Sequence, residues 1–407
     1  MNFKKWLALG CTAAMSAALL AGCGNAAAGE QQSTQSQQSA AQPSAAAPSA
    51  ESLDVTLNVV TAGDTNMEEL QNNFVAPIAA EKYPGLKLNV VGAGAGDDGS
   101  KKIYDKLKAQ KDAGKESWDI DVAIVHQSVM SAMLADGLLE KYVPLTGVEE
   151  YLTTDSAKNS LGTDVEGYVI PLFMSQTAIA YNSTTVTDAP TTMDEVKTWI
   201  SANPNKFGYN GVKGGMSGVA FVGAYLYNAV DDADQIVSGP YDKGIETGWS
   251  DIMSELKALP VTATNGNQGT LDMLNRGEID MGPVWVDMFY TMQAEGRMSP
   301  DVKLTLPDPG MPGQPMYVVV PAKAANKDAA VKFAELLGTP EVQASVIVDQ
   351  FNWYPGIDSS AVLPLCSKEA QESLFKDITP EILAKNSKAL PLDQFKADMM
   401  EVYESAK

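Results

Sequence analysis

The chain has 407 residues, a formal net charge of −22 and two arginines, Arg276 and Arg297, so it lacks the basic groove a polyanion needs, and nucleic acid is not an expected partner. With His126 as its one histidine and Cys11, Cys23 and Cys366 as its cysteines, it supports neither a histidine-rich zinc site nor a disulfide framework. A Ser-His-Asp triad would have to use His126, and no nucleophile-elbow pattern accompanies it.

Lys4 and Lys5 precede an uncharged, mostly apolar stretch over residues 6–20, and Leu20-Ala21-Gly22-Cys23 follows. A basic start and a short apolar run are the marks of an export signal. The run falls short of the ~20 residues that span a bilayer. A cysteine after Leu-Ala-Gly resembles the bacterial lipobox, which implies a signal peptide over residues 1–22 and an acylated Cys23 that anchors the exported protein to the membrane on its extracellular or periplasmic face. Removing the leader, with its two lysines and no acids, takes the charge from −22 to −24, as expected of a solvated surface. Residues 24–52 are almost wholly Ala, Gln, Ser, Gly and Pro. Such a segment cannot bury enough apolar surface to fold and reads as a tether, so 23–52 links the lipid to the folded body. About 350 residues remain, enough for two lobes whose cores need no disulfide.

Residues 55–60, 86–91 and 120–125 read as short apolar strands separated by helix-period segments at 67–82 and 101–112. That βαβαβ rhythm suits a parallel sheet covered on both faces. Alternating segments continue at 170–181, 192–202, 218–229, 248–259, 270–276, 279–285, 316–320 and 327–337. The run Gly92-Ala93-Gly94-Ala95-Gly96 lacks the GxGxxG spacing and the immediate helix of a dinucleotide site. Gly214-Gly215-Met216-Ser217-Gly218 opens a helix whose free N–H groups could hold an anion, or it is a plain turn with Ser217 as helix cap. Asp97-Asp98 and Asp119/Asp121 lack calcium-loop spacing, and neither a metal nor a cofactor is expected.

Several stretches, loose alone, are specific in this order: Ala62-Gly63-Asp64 at a strand end, WDIDVAIVHQSVMSAMLADGLL over 118–139, IPLFMSQTAIAYN over 170–182, LNRGEIDMGPVWVD over 274–287 and PAKAANKDAAVKFAELLGTPEVQ over 321–343. Together they resemble the extracellular solute-binding proteins of ABC importers, in the two-lobed branch that includes maltose-, polyamine- and thiamine-binding proteins. The resemblance implies an α/β, periplasmic-binding-protein-like fold of type II. Each lobe would be a mainly parallel sheet flanked by helices, with the ligand cleft between them. One lobe would hold residues 54–176 plus 310–350, the other 177–309 plus 351–407, with crossings at 170–182 and 304–309 acting as hinges.

In that arrangement, loops at strand ends line the cleft. One lobe would supply Asp64 and Thr65, Asp97 and Asp98, His126 with Gln127 and Ser128, and Ser175 with Gln176. The other would supply Gly215, Met216 and Ser217, Trp285 with Asp287, and Trp353 with Tyr354. Several have a structural alternative: Asp64 as a helix cap, Trp285 and the Trp353-Tyr354 pair as core, Asp287 as the cap of the next helix, and His126, which otherwise shapes a cleft wall, as a satisfied structural group. In an extended segment Trp285 and Asp287 would point to the same side, placing an aromatic face beside a carboxylate, as an organic cation requires. The expected function is therefore that of a monomeric binding protein, not an enzyme, delivering a polyamine- or thiamine-like cation to permease subunits. A sugar or phosphate-ester binder of the same fold is the alternative, and a secreted carboxylate-dependent hydrolase is the alternative from another class.

Overall fold

The computed structural model describes residues 52–407 apart from 64 and 95. The leader, Cys23, residues 24–51 of the tether and Asp64 lie outside the described residues. No described helix is long and apolar enough to cross a membrane.

The chain enters through β1 (Thr56–Ala62) and turns into α1 (Thr65–Glu69), which continues through a π-helical turn, Leu70–Val75, into Ala76–Lys82. It returns through β2 (Lys87–Gly94), α2 (Gly96–Asp112) and β3 (Val122–His126). β1 lies parallel to β2 on one side and to β3 on the other. Val59, Ala62 and the run Val122 to Val125 are fully buried, as expected of strands whose faces are both covered by helices. β2 forms the edge and alternates between exposed and half-buried positions.

The three predicted strands are present, but α2 begins at Gly96, well before residue 101. Two features outweigh the poor helix propensity of its glycines. Asp97 and Asp98 occupy the first turn, where negative charge meets the positive end of the helix dipole. A Cβ on Gly99 would run into the Gly94 carbonyl oxygen, so this close contact admits only glycine.

The long strand β4 (Ile170–Asn182) has 13 residues and spans roughly 40 Å at about 3.3 Å per residue. After it come α3 (Met216–Ala229), α4 (Gly266–Asn275), β5 (Met281–Trp285), α5 (Val286–Ala294), β6 (Val302–Thr305) and β7 (Met311–Val319). The sheet runs β6-β4-β7-β3-β1-β2, with β5 also paired to β4. β4 is antiparallel to β5, β6 and β7, so the parallel part of the sheet is β1 to β3.

The buried apolar side chains form two cores. One gathers Leu57, Leu70, Trp118, Leu172, Phe173, Tyr317 and Phe333; the other gathers Ala178, Ile179, Phe207, Phe221, Trp249, Phe289 and Phe395. β4 contributes to both. Its buried halves are separated by half-buried Met174 and Ser175. The second strand alongside this junction is β7, whose Gly313 and Gln314 lie opposite Gln176 and Ser175, and not residues 304–309. Pro307 and Pro309 stop β6 because proline cannot donate to a sheet.

Candidate functional site

A cavity of about 300 Å³ opens at this junction. The first core contributes Gly63, Asn66 and Met67 at the β1–α1 corner, His126 at the end of β3, Phe173 and Ser175 from β4, Gln314 and Met316 from β7, and Trp353. Opposite them stand Asn267 from the first turn of α4, and Trp285, Asp287 and Met288 from the β5–α5 corner. Among the described residues, no lysine or arginine lines it. Arg276 pairs with Glu278 at 2.5 Å and Arg297 with Glu295 at 2.7 Å, both away from the cavity. A second cavity, about 380 Å³, lies along β2 and α2, with Lys102, Lys106 and Asp119 in its wall. It is formed by one core only and holds no unpartnered buried polar group, so the junction cavity is the stronger candidate despite its smaller volume.

Asp287 carries the electrostatics. β5 ends at Trp285 and α5 starts at Val286, so the two residues do not alternate along one strand as expected, yet both reach the cavity. Asp287 Oδ1 is buried without a hydrogen-bond partner. Burial pushes its carboxyl up to about 6, against the effect of its own backbone N–H and the Trp353 and Ser175 side chains. Burial lowers the His126 imidazole below its usual range while the charge of Asp97 acts the other way, so His126 is neutral near pH 7. Its backbone N–H donates to Ser100 Oγ at 2.9 Å, and the Ser128 hydroxyl donates to Asp97 Oδ1 at 2.7 Å.

Two tryptophans line the cavity, and they differ in what they can offer. Trp353 is sandwiched between Phe173 at 4.0 Å and Phe351 at 5.1 Å, each within 9° of parallel. Both of its faces are covered, which leaves its edge and indole N–H. Trp285 stacks on no other ring among the described residues.

Of the sequence-predicted residues, the structure brings His126, Ser175, Trp285, Asp287 and Trp353 to this cavity, with Trp353 on the side of the first core and not of the other lobe as expected. Thr65, Asp97 and Asp98 are exposed at the starts of α1 and α2 and are not in its wall. Gln127 is buried in the turn after β3. Gln176 is fully satisfied within the fold: its amide donates to Thr177 O at 2.8 Å and Met311 O at 2.9 Å and accepts from the Ser387 hydroxyl at 2.6 Å. Tyr354 sits in the second core, donating its hydroxyl to Leu374 O at 3.0 Å. This contact consumes its polar end, so Tyr354 takes the alternative role of core residue. Gly215, Met216 and Ser217 lie behind the wall. Ser217 is buried in the first turn of α3 without capping it. The Ser217 backbone N–H donates to Asn267 Oδ1, and those of Gly218 and Val219 donate to Gly215 O, so these backbone groups are engaged and do not await an anion.

Asn66, Asn267 and Gln314 were missed, because single amides on loops, helix starts and strands carry no local signal. The Asn265-Gly266-Asn267 helix opening was the one hint for Asn267.

Residues 74–373 match the family model of bacterial extracellular solute-binding proteins. A search by sequence among curated proteins finds no match. Similar solved structures include an ABC transporter from Clostridium perfringens (17% identity, 85% of this chain and 97% of that one, TM-score 0.59). The spermidine/putrescine substrate-binding protein PotD from Streptococcus pneumoniae is similar at 15% identity, 86% and 97% coverage, and TM-score 0.59. PBP AttC from Agrobacterium tumefaciens, in an open unliganded conformation, is similar at 16% identity, 86% and 97% coverage, and TM-score 0.62. The fold is thus the two-lobed, type II periplasmic-binding-protein fold, and the chain belongs to the family of bacterial extracellular solute-binding proteins.

Proposed function

We propose that the protein is the capture component of an ABC-type importer and that it binds a small organic cation, polyamine- or thiamine-like, in the junction cavity. The observation that carries this is the buried Asp287 Oδ1, which has no hydrogen-bond partner, in a cavity that Trp285 also lines and that no lysine or arginine lines among the described residues. A buried carboxylate is costly unless a cation or enough donors meet it; Trp353, Ser175 and backbone N–H groups offset part of that cost, and among the described residues no lysine or arginine lines the cavity. The polyamine-binding relative PotD supports the same class. A phosphate ester finds no arginine here among the described residues, and the N–H groups of Ser217, Gly218 and Val219 at the start of α3 are engaged.

The two lobes, one around each core, close around the solute and present it to the permease. Cys23 carries the lipid that holds the exported monomer at the membrane. Cys23→Ala should release soluble protein, whereas variant protein that stays on membranes after a salt wash, with no acyl mass on the wild type, counts against the anchor.

A thermal-shift screen followed by calorimetry tests the ligand class. A charge-assisted contact is worth about 1.5–3 kcal/mol, so Asp287→Asn should weaken a cation tenfold or more. Tight binding of a neutral sugar, with no heat from polyamines or thiamine, would overturn the cation reading. Turnover of the bound compound would support a hydrolase instead.

A further inference from the structure

We infer that the cavity selects, among organic cations, those that also carry a neutral hydrogen-bond acceptor such as an amide carbonyl, and that Asn267 reads this acceptor. The inference rests on the cation reading of Asp287 and adds a second recognition element to it.

Asn267 Oδ1 accepts from the Ser217 backbone N–H at 3.3 Å, the Ser217 hydroxyl at 2.8 Å and Asn210 Nδ2 at 3.1 Å. A backbone N–H can only donate, so the amide oxygen must face α3 and the NH₂ group must face the other way. Ser217 is fully buried and Asn210 is 8% exposed, so water cannot substitute for these donors. Gly215 makes room for the pair: a Cβ there would lie 2.5 Å from Asn267 Oδ1 and 2.7 Å from Asn210 Nδ2. This accounts for the glycine-serine turn that opens α3.

Asn267 lines the cavity, and among the described residues its NH₂ has no partner. Its oxygen takes an N–H from the first turn of the 14-residue helix α3, whose positive end polarises the amide and strengthens the outward donor. The side chains of Asn66 and Gln314 also line the cavity, and no hydrogen bond fixes either among the described residues. They can turn either end to a ligand, whereas Asn267 can only donate.

An ammonium group brought to Asn267 would set donor against donor and leave both unpaired. A carboxylate there would be a second negative charge beside Asp287 with no lysine or arginine to offset it. A neutral carbonyl satisfies the NH₂ at neither cost.

Calorimetry on the full folded domain with three matched series of three to six carbons tests this: unbranched diamines, the corresponding ω-amino amides and the ω-amino acids. The best amino amide should bind about tenfold or more tighter than the diamine and the amino acid of the same length. Asn267→Asp keeps an oxygen for Ser217 and Asn210 but turns an acceptor toward the cavity, so it should lower the amide-to-diamine preference at least tenfold. Wild-type diamines binding as tightly as the amides would overturn the inference and leave the cation reading standing, and tighter amino acids would overturn the neutral acceptor. An unchanged preference in folded Asn267→Asp would remove Asn267 from the role; if that variant does not fold, the wild-type ratios decide. No heat from any series would overturn the cation reading itself.

Discussion

Burial of its carboxyl makes Asp287 a cost to the ligand-free protein at neutral pH. Its folded-state carboxyl is raised to about 6 from an ordinary 3.8, so the ligand-free fold loses stability as pH rises through that window and carries the full penalty above it. Asp287→Asn removes a buried charge while keeping the shape. It should raise the melting temperature of the ligand-free protein at pH 7.5, and the gain should fade by pH 4. His126 shifts the other way and weakens the fold as pH falls below its usual range, but it is common to both proteins and cancels in the difference. Melting curves of the pair across pH check this; a gain that grows toward acid would contradict the sign. The same group should make cation affinity rise from pH 5 to 7.5, with only the His126 contribution left in Asp287→Asn. The sequence made Trp285 and Asp287 legible because an aromatic and a carboxylate at a strand end are a local pattern. It could not separate them from Tyr354, Gln176 or Ser217, whose polar ends are claimed by Leu374, by Met311 and Ser387, and by Asn267. Those partners are far away in the chain.

Elements were legible where burial is continuous. β3 and the first half of β4 announce themselves by nearly unbroken apolar runs, since a strand covered on both faces has few polar positions to interrupt it, and β1 by its Val59-Val60 centre between Asn58 and Thr61. The early start of α2 was hidden by glycines that look like a loop, of which Gly99 serves close packing against Gly94 instead. Gly99→Ala should therefore destabilise the fold by about 1–3 kcal/mol, since the new methyl meets a backbone carbonyl that cannot yield. Denaturant midpoints measure it, and an unchanged midpoint would show that α2 can shift off β2. β7 was placed too late because Pro312 and Pro315 interrupt its sequence pattern. The structure accommodates them within a strand that still pairs β3 through Met316 to Val319.

At the scale of the molecule, β4 and β7 run side by side past the junction of two separately packed cores, and their contact at Ser175 and Gln314 lies in the cavity wall. Rotating one core against the other then requires backbone changes in only a few residues, because each core can move as a rigid unit. Where a solute touches His126 and Gln314 on one side and Asn267 and Asp287 on the other more tightly in a closed form, it favours that form by the difference in its affinity for the two states. Small-angle scattering should show a smaller radius of gyration with a saturating cation than without. A ligand that binds only the folded state should also add about 2.7 kcal/mol of stability at a hundredfold excess over Kd. Asp287→Asn at the same ligand concentration should lose most of both effects, because the contact that rewards closure is gone. A radius that stays constant while calorimetry registers tight binding would mean that the solute enters a preformed cavity and that the permease recognises something other than closure.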